Sequence, residues 1–113
     1  MTTTQKNYNL TKIEELAQGD PYFWSAIVGQ FKQEVPQDLE RLNQMIEVGN
    51  RALVHEIVNK IKPTLELFSL ESYKNALHIE AWSVSEGTMD ISAHFNELSA
   101  DVNLAIHQLN QDM

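Results

Sequence analysis

The chain has 113 residues, 42% of them hydrophobic and 21% charged, with four Gly and three Pro. That composition fits one folded domain and excludes disordered, fibrous and multidomain classes. There is no Cys, which removes disulfide scaffolds, thiolate metal centres and Cys nucleophiles and fits a reducing, cytoplasmic setting. Eight Lys and Arg against sixteen Asp and Glu give a net charge of −8. Such a chain repels phosphate backbones, so nucleic acid is not an expected partner. No apolar run reaches the ~18 residues of a membrane span. The start, MTTTQKN, lacks the apolar stretch of a signal peptide. The expectation is a single cytoplasmic, monomeric domain over 1–113, with 1–9 a loose polar tail.

Breakers are sparse, and between them the apolar period is helical. Thr11 can cap a short helix that turns Ile13 and Leu16 inward and ends near Gly19. Asp20-Pro21 then reads as a second helix start, with an Asp cap followed by Pro at the first helical position. From there Phe23, Ile27, Phe31, Val35, Leu39, Leu42, Met45 and Ile46 recur at spacings of three and four. Pro36 interrupts this stripe without breaking its phase, so it bends the helix rather than ending it. Gly49 supplies a left-handed cap.

A third helix runs from Asn50 to about Phe68, with Leu53, Val54, Ile57, Val58, Ile61, Leu65 and Phe68 on one face. Ser69 to Val84 reads as a fourth, with Leu70, Tyr73, Leu77, Ala81 and Val84 as its stripe. Thr88 can cap a last helix carrying Ile91, Phe95, Leu98, Val102, Ala105, Leu109 and Met113. No useful length alternates as a strand. Amphipathic helices joined by short turns must bury their stripes on one another. The expected fold is therefore all-α, an antiparallel up-down four-helix bundle with a short extra N-terminal helix. Its expected core includes Phe31, Leu39, Leu53, Ile57, Ile61, Leu77, Phe95, Leu98 and Val102.

The outer face of the third helix carries His55, Asn59, Lys62 and Glu66, spaced by four, three and four. His55-Glu56-Ile57-Val58-Asn59 has the outline of the zinc motif H-E-x-x-H, but Asn stands where the second His belongs and is a poor zinc ligand. The other His residues, 78, 94 and 107, bring no complete ligand set. No Gly-rich phosphate loop or nucleophile elbow occurs. Neither a metal nor a cofactor is expected.

The stretch Leu53–Trp82, LVHEIVNKIKPTLELFSLESYKNALHIEAW, resembles the signature helix pair of histidine-containing phosphotransfer domains. Ile61, Lys62, Pro63 and Thr64 match the family's run of Leu, Lys, Gly or Pro, and a small residue. Ser69 stands at its distal Gly, and an acidic residue lies on the following helix. The segments YNLTKIEELAQGDPYFWSAIVGQF and VPQDLERLNQMIEVGNRALV resemble the family's opening, so the resemblance covers nearly the whole chain. It implies a four-helix bundle that exchanges phosphate with response-regulator receiver domains, free or within hybrid sensor histidine kinases.

Where that family carries its phosphorylatable His, this chain has Asn59. The amide nitrogen's lone pair is delocalised into the carbonyl, so Asn59 cannot attack phosphorus as an imidazole does. The resemblance thus implies a phosphotransfer fold with no catalytic residue. Its docking face would centre on His55, Asn59, Lys60, Lys62 and Pro63, where Lys60 and Lys62 would meet the acidic pocket of a receiver domain. Two alternatives stand beside this reading. One is an active phosphotransfer protein, with Asn59 introduced in place of His or with His55 as the acceptor. The other is a purely structural helical bundle.

Overall fold

A computed structural model describes residues 6–112. Among them it contains five helices and no strand: α1 (Thr11–Ala17), α2 (Pro21–Glu47), α3 (Arg51–Leu67), α4 (Tyr73–Ser83) and α5 (Ser92–Asp112). The expected all-α class is observed.

Local chemistry explains most of the boundaries. Asp20 Oδ1 accepts the N–H groups of Tyr22 and Phe23 at 2.9 and 3.4 Å, and Pro21 opens α2. The helix then runs through Pro36 for 27 residues, because the buried row of Val28, Phe31, Val35, Leu39 and Leu42 continues in phase across the proline. It ends in a Schellman turn. Gly49 lies at φ +72°, its N–H bonds the Ile46 carbonyl, and Asn50 N–H bonds that of Met45.

The same device ends α3 with a different residue. Ser69 N–H bonds the carbonyl of Glu66 and Leu70 N–H that of Leu65, which places Ser69 at φ +56°. This left-handed conformation favours glycine. Buried Leu65 and Leu70 close the turn beneath it.

The core is continuous across α2 to α5. α3 packs on α2 and α4, α5 packs on α4 and α2, and α1 rests on α2. Phe31 of α2 and Phe68 at the end of α3 stack with ring centroids 4.2 Å apart. Phe31, Leu39, Ile57, Ile61, Leu98 and Val102 are buried as expected, whereas Leu53 and Phe95 are only half-buried.

The fourth helix departs from the expected pattern. It starts at Tyr73 rather than Ser69 and presents a different row to the core. Leu77 is 41% exposed, Ala81 and Val84 are also exposed, and Tyr73 is half-buried. The inward positions belong to Ser72, Asn75, Ala76, Ile79, Trp82 and Ser83. Asn75 and Ser83 can sit there because their side chains find partners. Ser72 is held by its backbone N–H on Asp101 Oδ2, and its buried hydroxyl has no hydrogen-bond partner among the described residues. Asn75 Nδ2 donates to Glu97 Oε2 at 2.6 Å and lies 3.2 Å from His94 Nδ1, both on α5. Leu16 of α1 and Phe23 of α2 likewise face outward, Leu16 at 58% exposure.

Two further starts are corrected. Thr11 is the first residue of α1 rather than its cap, and Asn9 Oδ1 accepts its N–H at 2.8 Å. The last helix opens at Ser92, not behind Thr88, with Asp90 Oδ1 accepting Ser92 N–H at 2.9 Å. Met113 and residues 1–5 of the expected tail lie outside the described residues.

Residues 6–9 of that tail are tied down. Asn7 N–H donates to Gln108 Oε1, Asn7 Nδ2 donates to the backbone and side chain of Asp101, and Asn9 N–H bonds the Phe68 carbonyl. Lys6 Nζ pairs with Asp112 at 2.9 Å, and Tyr8 donates its hydroxyl to the same carboxylate. The strap thus holds the end of α3 and the C-terminal half of α5 together.

Partial burial, followed by the hydrogen bond and negative charge of Asp112, pushes the Tyr8 phenol up from 10.0 to about 12. Asp112 is held below its usual carboxylate value by Tyr8 and then Lys6. The folded strap keeps the phenolic proton longer than the unfolded chain does. Its contribution is therefore complete below pH 10 and fades as pH rises through about 12. The Asp112 contribution has the opposite sense and is lost as pH falls through its lowered value.

Two outcomes follow from these turns and contacts. Ser69→Gly should stabilise the protein by about 0.5–1 kcal/mol in denaturant unfolding, since relief of left-handed strain exceeds the added freedom of the unfolded chain. In an absorbance titration, Tyr8→Phe should remove a phenolate step centred near pH 12.

Candidate functional site

The site is the outer face of α3, held in place from its two neighbours. Val54, Ile57, Val58, Ile61 and Leu65 are all buried at 4% exposure or less. They fix the rotation of the helix and leave Asn59, Lys60 and Pro63 exposed, with His55 and Lys62 half-buried at the seam with α4. Pro63 has no N–H to offer the Asn59 carbonyl, yet α3 continues to Leu67.

His55 and Asn59 touch. Asn59 Nδ2 lies 2.8 Å from His55 Nε2, and His55 Nδ1 lies 3.3 Å from Ser83 Oγ on α4. The Ser83 hydroxyl in turn donates to the Glu80 carbonyl at 2.6 Å. Its one proton is thereby used, so the Ser83 oxygen is the acceptor for a proton on His55 Nδ1. The neutral ring then carries its lone pair on Nε2, facing the Asn59 amide donor. This assignment follows from the hydrogen-bond order along the chain of groups.

Both lysines are paired within the molecule. Lys62 Nζ meets Glu80 Oε2 of α4 at 2.5 Å, with both side chains about a fifth exposed (21% and 23%). Lys60 Nζ meets Asp38 of α2 at 3.0 Å. Lys60 itself is mostly solvent-facing while Asp38 is largely sheltered, whereas both members of the Lys62 pair are partly sheltered and join α3 to α4. A cleft of about 210 Å³ runs along the α2–α3 seam beside them, lined by Val35, Asp38, Lys60, Ile61 and Thr64 among others.

Arg51, one turn before His55, closes the other end of the face. Its guanidinium sits 4.2 Å over the Trp82 ring and donates to the carbonyls of Trp82, Ser85 and Gly87. The planar fork thereby pins the chain leaving α4.

All five residues expected at the site, His55, Asn59, Lys60, Lys62 and Pro63, lie on or at the edge of this one face. The sequence reading missed Asp38, Arg51 and Ser83, which act from other elements or through backbone carbonyls. For Glu80 there was a signal, the acidic residue on the helix after the signature. Chemically, the face offers amide and ammonium donors, and its one ring lone pair is engaged by Asn59. Away from it, His78 and His94 stack with centroids 4.3 Å apart. Among the described residues no group of three or more His, Asp or Glu is arranged to hold a metal ion, and no helix is long and apolar enough to cross a membrane.

The chain matches no protein-family model, no curated protein and no solved structure.

Proposed function

We propose that this protein is a phosphotransfer-like signalling module that has kept a docking face and lost its nucleophile. In this reading α2 to α5 form an antiparallel four-helix bundle with α1 across one end. The cyclic order of contacts, α2 to α3 to α4 to α5 and back to α2, supports that arrangement. The partner is a response-regulator receiver domain, free or within a hybrid sensor histidine kinase, met in the cytoplasm by a monomer.

One observation carries the proposal. Asn59 stands exposed on the outer face of α3, with Lys62 one turn further on, at the position that the resemblance assigns to a phosphorylatable His. The register of that resemblance has separate support from Ser69, which adopts φ +56° where the family pattern has Gly. Asn59 offers no nucleophilic lone pair, and the Nε2 lone pair of His55 is turned onto Asn59. Both facts favour docking without phosphate transfer. Phosphoryl transfer depends on positioning, and His55 is displaced by ~6 Å along the helix from position 59.

The test uses purified receiver domains of the same organism, phosphorylated and incubated with the protein. Wild type should bind one of them, more weakly as salt rises, and acquire no acid-labile phosphate. Asn59→His should acquire it. That substitution also completes a His-Glu-x-x-His run, so transition metals are removed beforehand. Labelling of wild type that disappears in His55→Gln would install His55 as the acceptor. Absence of binding to every receiver would leave only the structural bundle.

A further inference from the structure

The ring of His55 and the amide of Asn59 form a pair whose hydrogen bond works in one sense only while the ring is neutral. His55 Nδ1–H is spent on Ser83 Oγ and Nε2 accepts from Asn59 Nδ2. In that state the Asn59 carbonyl oxygen points away from the ring. Protonation puts a second N–H on Nε2, and two donors then face each other across 2.8 Å. The contact survives only if the Asn59 amide turns over, so that its oxygen accepts from the imidazolium.

We propose that His55 and Asn59 are a proton-operated switch in the docking face. With a neutral ring the face presents the Asn59 oxygen, an acceptor. With a protonated ring it presents the Asn59 NH₂ group and a new positive charge. This inference rests on the docking reading for its consequence: the acid form suits a carboxylate-rich partner surface and the neutral form suits it less.

The charged surroundings leave room for it. On α3, Arg51 is committed to the carbonyls after α4, Lys60 is paired with Asp38 of α2, and Lys62 is paired with Glu80 of α4. Glu56 beside His55 and Glu66 at the far end of the stripe are exposed. From α4, Glu80 reaches the ring only through its backbone carbonyl and Ser83. The ring therefore has one polar group at each nitrogen, and the Asn59 amide is the one that can turn.

The test is nitrogen-15 NMR of the free wild-type protein between pH 8 and pH 5. At high pH, His55 should show the pattern of a ring protonated on Nδ1. As the ring titrates, both Asn59 side-chain amide protons should shift with the same midpoint, and Asn59 should not report that step in His55→Gln. A ring protonated on Nε2 at high pH would overturn the proposal, because Asn59 would then already accept. Asn59 signals that ignore the His55 titration would overturn it equally. These readouts need no partner, so a receiver domain that fails to bind counts against the docking reading alone.

Discussion

Everything proposed for this molecule depends on how α3 is wedged between α2 and α4. Five aliphatic side chains of one helix, Val54, Ile57, Val58, Ile61 and Leu65, are each at most 4% exposed. Truncating a large one among them costs about 2–5 kcal/mol. Rotating the helix by one residue would move that whole row by ~100° and expose part of it. The rotation of α3 is therefore fixed from the inside, and the polar residues on its outside inherit that precision. The left-handed turn at Ser69 stops the helix where α4 can fold back against it. Lys62–Glu80 and His55–Ser83 then close the same seam from the solvent side.

On the proposed reading, loss of one nucleophile in such a frame is a limited change. Asn and His are both planar polar groups of moderate size, so position 59 can keep its place and one hydrogen bond while chemistry is lost. The surrounding charges are balanced within the molecule, because Lys60 and Lys62 each already have a carboxylate partner. A partner that brings acidic groups to this face must compete with Asp38 and Glu80. Such competition favours selectivity and salt sensitivity over tight binding.

The sequence made legible those features that depend on neighbours along the chain. Asp20-Pro21, Gly49, passage through Pro36 and the buried row of α3 follow from capping chemistry, backbone preference and period. α4 was misread because its inward row carries Ser72, Asn75 and Ser83, and a reading of apolar spacing selects Leu77 and Val84 instead. Whether Asn75 can be buried is decided by Glu97 and His94 on another helix, and no local pattern contains that information. The strap at Asn7 and Tyr8, with partners about a hundred residues away at Asp101 and Asp112, is hidden for the same reason. So are Asp38 and Ser83 at the site. Helical spacing named His55, Asn59 and Lys62 and the resemblance added Lys60 and Pro63, but their pairings were not legible.

The central claim is that the outer face of α3 is a protein-docking face without phosphoryl chemistry. Its most direct test is a hydrogen-exchange footprint of the protein mixed with each receiver domain of its organism. A bound receiver should slow exchange in the middle of α3, around residues 55–63, and along the adjoining part of α2. The same footprint should appear with Asn59→His, since docking precedes chemistry. Protection confined to α5 or to the α4–α5 connection would contradict the account, as would complexes that form only once His is restored at position 59.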